Sequence, residues 1–313
     1  MKILLTSTSF MDTPGKHQDL LAETGVIIEK IRGPLKEAKL LEVIANYDAL
    51  ICGDDEITFN VLKLGKEGKL KIISKYGIGL DKINLEAAKQ LDIPVTNTPG
   101  VNQVTVAEHV LALVFSFYRN LFYEFNQTKS GNWERITGHE LYEKTIAILG
   151  LGKIGKELAK RMVALGLKVI VFDVFPDIEY IKKYNLHYSD SLVNAVKHAD
   201  VISLHMPLND ETEGIISVEI FEQMKNKPLI INTARAGLVD KIALLDVLEK
   251  KEICGYLTDV MWDEPMNKDE ELLKFDNVFI TPHIGSRTFE SVERQGSAAV
   301  RNLIMLKKKY VDK

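Results

Sequence analysis

Three glycines and a handful of charged residues mark where this sequence could do chemistry. Gly150, Gly152 and Gly155 form a GxGxxG turn in T-I-A-I-L-G-L-G-K-I-G-K, after a five-residue apolar run and before a helical pattern. Such a turn suits a dinucleotide. Gly150 permits the sharp strand-to-helix bend, Gly152 lets the backbone approach a pyrophosphate, and Gly155 lets the helix lie close on the strand. The helix start adds N–H groups and partial positive charge for the phosphates. Asp173 closes the next apolar run, 18 residues after Gly155 (173 − 155). A carboxylate there accepts from the adenosine ribose hydroxyls and repels a 2′-phosphate. Val174, Phe175 and Pro176 supply no cation. NAD is therefore expected rather than NADP.

A nicotinamide cofactor brings hydride chemistry, so the protein must add a proton carrier, a carbonyl polariser and an anion site. Arg235 in I-N-T-A-R-A-G-L-V-D, Asp259 and Glu264 in L-T-D-V-M-W-D-E-P, and His283 in F-I-T-P-H-I-G-S each follow an apolar, strand-like run. Ligands of open α/β sheets bind at that edge. Taken singly, each has a bland reading: a solvated arginine, a proline-terminated turn, a surface histidine after Thr-Pro. His17, His139, His187 and His198 sit in polar stretches and need no role, and His109 and His205 are left outside catalysis.

The elements that must position these residues are short apolar runs alternating with helical stretches. Strands are predicted at 3–6, 26–29, 49–52, 71–74 and 94–97, then at 145–149, 168–172, 201–204, 229–232, 255–258 and 278–281. Helices are predicted at 85–91, 104–118, 153–165, 191–197, 241–250 and 289–306. Strands rich in Val, Ile and Leu, each followed by a helix, imply parallel sheets covered on both faces. Two sheets are expected, over about 1–97 and 145–281. The stretch 121–140 reads as an extended arm, and the last helix as crossing back to the first domain.

A formal charge of −4 and a single basic run, Lys307-Lys308-Lys309, argue against nucleic-acid or membrane partners. Cys52 and Cys254 form no metal-binding cluster. Both are expected to be buried and inert thiols in a reducing cytoplasm. No metal is expected.

Five segments together carry a resemblance. They are K-Y-G-I-G-L-D-K-I-N at 75–84, N-T-P-G-V-N-Q-V-T-V-A-E-H at 97–109, the glycine turn at 150–155, the Arg235 and Glu264 segments, and T-P-H-I-G-S at 281–286. Their order and content resemble the D-isomer-specific 2-hydroxyacid dehydrogenases, most of all phosphoglycerate dehydrogenase-like members. The chain ends at Lys313, so no regulatory domain is expected.

The resemblance implies an α/β fold of two doubly wound domains, a Rossmann NAD-binding domain inserted into a flavodoxin-like substrate domain. The substrate domain would be 1–98 plus 287–313. The NAD-binding domain would be 99–286, with a dimerisation helix and arm at about 104–140 and a homodimer as the assembly. The catalytic set falls on Arg235, Glu264 and His283. Arg235 and the N–H groups of Ile78 and Gly79 would hold the substrate. Thr105, Gly150, Gly152, Lys153, Ile154, Gly155, Asp173, Thr233 and Asp259 would hold NAD, Asp259 at the nicotinamide carboxamide. Trp133, in the arm, would reach the partner's substrate pocket.

The implied activity is reversible hydride transfer between NAD and a small 2-hydroxy or 2-keto acid. D-3-phosphoglycerate, glycerate or hydroxypyruvate, and glyoxylate all fit. Lys75 is a candidate for a distal phosphate, but Asp54, Asp55 and Glu56 in the neighbouring loop would repel one. The competing class is an NAD-sensing corepressor-like binding protein.

Overall fold

The computed structural model describes residues 1–311. The chain forms two compact units, residues 1–102 with 287–313, and residues 103–286.

The first unit holds a parallel five-stranded sheet. Its strands are β1 (Lys2–Leu5), β2 (Ile27–Lys30), β3 (Ala49–Cys52), β4 (Ile72–Lys75) and β5 (Val95–Thr96), in the order β2-β1-β3-β4-β5. This is the flavodoxin-like order, which reverses between β1 and β3. β3 and β4 are buried along their whole length. That explains their unbroken apolar runs, since both faces need a cover. One cover is the helix Phe289–Tyr310, whose Val292, Ala299, Val300 and Leu303 pack on Ile3, Leu5 and Ile72. Two hydrogen bonds pin it: the Ser74 hydroxyl donates to the Ala299 carbonyl at 2.8 Å and Asn302 Nδ2 to the Asn97 carbonyl at 2.8 Å.

The second unit holds a parallel seven-stranded sheet. Its strands are β6 (Thr145–Leu149), β7 (Lys168–Phe172), β8 (His187–Tyr188), β9 (Val201–Leu204), β10 (Leu229–Asn232), β11 (Gly255–Thr258) and β12 (Val278–Ile280), in the order β12-β11-β10-β9-β6-β7-β8. The order reverses between β6 and β9, the doubly wound pattern in which dinucleotides bind at the reversal. One face is covered by the helices Gln103–Tyr118 and Lys153–Ala164, through Val110, Leu113, Val114, Leu158 and Met162. The helix Lys241–Glu249 covers the other through Leu244, Val247 and Leu248. It begins where Asp240 accepts from the Ala243 N–H, a cap worth about 1 kcal/mol.

The expected α/β class and pair of sheets hold. Four local readings change. The arm opens with a helix, Leu121–Lys129, none of whose residues is buried. β8 is an extra two-residue edge strand whose His187 is exposed and whose Tyr188 is only half-buried. Cys52 is buried as expected, but Cys254 is exposed. His17 lies in no polar surface stretch. It is fully buried against the Phe10 ring, its Nε2 3.1 Å from the Phe10 carbonyl, in a space left by Gly296.

Candidate active site

Within the second unit the predicted residues gather on the carboxyl ends of adjacent strands. Gly150 follows β6, Asp173 follows β7, and Thr233 and Arg235 follow β10. Asp259 and Glu264 follow β11, and His283 follows β12.

The glycine turn has the shape the motif demands. Gly150 has φ +103°, a backbone state that side chains resist, and a Cβ there would lie 2.6 Å from the His205 carbonyl oxygen. A Cβ on Gly155 would collide with the Gly150 carbonyl oxygen. A Cβ on Gly152 would meet nothing within 4 Å, so the protein leaves open space over that residue. Gly152 caps the helix Lys153–Ala164 with no side chain of its own, leaving the helix start bare around Lys153 and Ile154. Asp173 ties the turn to β7: its carboxylate accepts from Leu151 N–H at 2.6 Å and from Phe175 N–H at 2.8 Å. Each carboxylate oxygen carries a second lone pair for a ribose hydroxyl. The Thr233 hydroxyl is buried with no hydrogen-bond partner among the described residues, and Thr105 lies buried on the first turn of its helix. An open cradle, a bare helix start and an orphaned hydroxyl all fit a dinucleotide.

Glu264 and His283 meet. His283 Nδ1 lies 2.8 Å from Glu264 Oε2. A carboxylate only accepts, so Nδ1 carries the hydrogen and Nε2 the lone pair. Glu264 is braced in turn, its Oε1 accepting from Met261 N–H at 3.0 Å. His283 has φ +53°, a left-handed backbone state rare outside glycine and asparagine. Arg235 starts a short turn two strands away, with Asn232 Nδ2 donating to its carbonyl at 2.8 Å and its Nη1 donating to the Ala234 carbonyl at 2.7 Å. Ile78 and Gly79 belong to the first unit, where Asn97 Nδ2 donates to the Ile78 carbonyl at 2.7 Å.

Asp259 has a set of partners that sequence reasoning missed. It is 2% exposed, and its carboxylate accepts from the Thr281 hydroxyl at 2.6 Å, Ile284 N–H at 2.8 Å and Gly285 N–H at 2.6 Å. His109 Nε2 lies 3.1 Å from the Thr281 oxygen and 3.5 Å from Asp259 Oδ1. The Thr281 hydrogen is directed to Asp259, so His109 donates. Asp259 therefore clamps both sides of the loop that carries His283. The one legible signal was His109 itself, a polar residue on the helix face of Val106, Val110 and Leu113. Burial disfavours the Asp259 anion, but hydrogen bonds from His109, Thr281, Ile284 and Gly285 outweigh it and hold its pKa below the usual carboxylate range. The folded value is lowered, so this stabilisation is complete above the unfolded carboxylate value of about pH 4 and is lost as pH falls below it and through the lower folded value. Asp259→Asn turns one acceptor into a donor facing loop hydrogens. It is expected to cost about 1–3 kcal/mol, seen as a lower melting temperature. Turnover should fall more than NADH affinity. An NADH affinity loss as large as the turnover loss would instead put Asp259 at the cofactor. His205 stays neutral beside this sheet, burial pushing its imidazole down to about 4, with Nε2 2.8 Å from the Ser203 hydroxyl.

The family model described as "D-isomer specific 2-hydroxyacid dehydrogenase, NAD binding domain" matches residues 111–285. A D-3-phosphoglycerate dehydrogenase of Methanocaldococcus jannaschii is 36% identical over 92% of this chain, which spans 55% of that protein's length. A glyoxylate reductase of Thermofilum pendens is 36% identical over 90% of this chain and 85% of its own. A solved Thermus thermophilus structure superposes with TM-score 0.87 at 34% identity, covering 99% of this chain and 97% of the other. With a family model across more than half its length and relatives of this identity over nine-tenths of it, the chain belongs to the D-isomer-specific 2-hydroxyacid dehydrogenase family.

Proposed function

We propose that the chain is an NAD-dependent dehydrogenase that interconverts a small 2-hydroxy acid of D configuration and its 2-keto acid. The observation that carries this is the Glu264–His283 pair, 2.8 Å apart on the sheet that also bears the open glycine cradle. NAD supplies the hydride acceptor in oxidation and, as NADH, the donor in reduction. His283 Nε2 takes the hydroxyl proton in oxidation and returns it in reduction. Glu264 fixes the ring tautomer and stabilises the imidazolium that forms. Arg235 polarises the keto oxygen and grips the substrate carboxylate through its planar fork. In the first unit, the Ile78 and Gly79 N–H groups form a further carboxylate site. Asp173 selects NAD over NADP by repelling a 2′-phosphate.

A homodimer is part of the same reading. Leu121, Phe122, Tyr123 and Phe125 stand largely exposed on one short helix, and Trp133 beyond it is 77% exposed, several large apolar side chains open to a partner. A cytoplasmic location is supported by two free cysteines. No described helix is long and apolar enough to cross a membrane.

The test is an absorbance assay of NADH oxidation over glyoxylate, pyruvate, hydroxypyruvate and phosphohydroxypyruvate, repeated with NADPH. At least one 2-keto acid should be reduced, faster with NADH. Tight NADH binding with no turnover of any of them would leave a nucleotide-binding protein and refute the proposal.

A further inference from the structure

The carboxyl edge of the first unit's sheet holds a buried cation that is already neutralised. Lys75 ends β4 and its side chain is 2% exposed. Its Nζ donates to the Gly53 carbonyl at 2.6 Å and to Asp54 Oδ1 at 2.7 Å, both in the loop after β3. The same ammonium lies beside the Gly77-Ile78-Gly79 turn: a Cβ on Gly77 would sit 3.7 Å from it. The turn is held from the other side, Gly77 N–H donating to the Thr98 hydroxyl at 3.0 Å.

The acidic loop is not a solvated run that could swing aside. Asp55 is fully buried, accepting from the Thr6 hydroxyl at 2.5 Å, Leu35 N–H at 2.6 Å and Gly53 N–H at 3.0 Å. Glu56 takes Lys36 at 2.7 Å and Glu37 N–H at 3.2 Å. Immediately before these two anchors Asp54 is fixed against Lys75, its own side chain 38% exposed toward solvent. A doubly charged phosphate arriving here would meet that carboxylate. To attract the phosphate, Lys75 would have to abandon a partnered buried position, and separating a buried pair leaves an uncompensated charge.

We propose, building on the function above, that the Lys75–Asp54 pair makes this edge a neutral subsite. The substrate is then a 2-keto acid whose chain beyond the keto carbon carries no phosphate or second carboxylate. Lys75 positions the loop beneath the glycine turn, and Asp54 determines specificity by repelling a second anionic group on the substrate's chain, the acid's own carboxylate being taken by Arg235 and the Ile78 and Gly79 N–H groups. The lysine that looked like a phosphate ligand in the sequence is spent inside the fold.

The test compares kcat/KM with NADH for glyoxylate, pyruvate and hydroxypyruvate against phosphohydroxypyruvate and 2-ketoglutarate. The uncharged-chain acids should lead by roughly 100-fold, the scale of a like-charge clash in a specific site. Asp54→Asn keeps the shape and removes the charge. It should narrow the hydroxypyruvate to phosphohydroxypyruvate ratio by about tenfold, through a lower KM for the phosphorylated acid. A second variant, Asp54→Ala, should narrow it in the same direction. A wild-type enzyme that works best on an acid with a charged tail overturns the proposal while the reaction stands. A preference unchanged in both variants overturns the role of Asp54. No turnover of any 2-keto acid removes the reaction and this proposal together.

Discussion

His283→Asn is expected to lower kcat by about 10²–10⁴-fold, the range for losing a positioned acid or base, with NADH affinity and melting temperature close to those of the unaltered protein. Asparagine is chosen for two structural reasons. Position 283 has φ +53°, which asparagine tolerates better than alanine. Its amide can also still donate to Glu264, which stands 2.8 Å from His283 Nδ1. The loop clamped by Asp259 through Thr281, Ile284 and Gly285 should therefore keep its course. What asparagine cannot do is carry a proton at neutral pH. Steady-state kinetics, an NADH titration and a thermal melt separate these effects. Undiminished kcat would refute the assigned base. A large drop in melting temperature would show that the histidine was holding the loop rather than moving a proton.

Gly155→Ala is expected to weaken NADH binding by about 10–100-fold and to lower the melting temperature. The added methyl would collide with the Gly150 carbonyl oxygen and lie 3.1 Å from its carbon. Neither atom is a flexible side-chain end, so the turn itself must move. Overpacking of this kind costs about 1–3 kcal/mol, and each 1.4 kcal/mol is about tenfold in affinity. Gly152→Ala is the control. Its φ is −69°, which any residue adopts, and its added methyl meets nothing within 4 Å. That variant should fold normally yet still lose NADH affinity, because the methyl occupies the space into which a pyrophosphate approaches. Differential scanning fluorimetry with and without NADH reads both quantities. If Gly152→Ala bound NADH undisturbed, the open space above it would not be the pyrophosphate site.

Legibility followed burial. β6, β7, β9, β10 and β11 begin and end at the residues expected from the apolar runs, because central parallel strands bury both faces and must be apolar throughout. β8 escaped notice because two half-open residues at a sheet edge carry no such run. The helix Leu121–Lys129 escaped because none of its residues is buried, so no periodic buried face marks it.

At the site, the residue types and their order named the glycine turn, Asp173, Arg235, Glu264 and His283. Their separations along the chain followed from alternating strands and helices. The sequence by itself thus determined the sheets, the nucleotide cradle and the inventory of chemical groups, since those depend on local backbone needs and on unbroken apolar runs. Only the tertiary structure decided which charges are spent. Asp259 faces a loop more than twenty residues away in sequence, His109 reaches Thr281 from 172 positions off, and Lys75 is quenched by Asp54 across two neighbouring strands. Whether a carboxylate or an ammonium stands open to a ligand depends on its nearest polar partner in space. Folding alone chooses that partner.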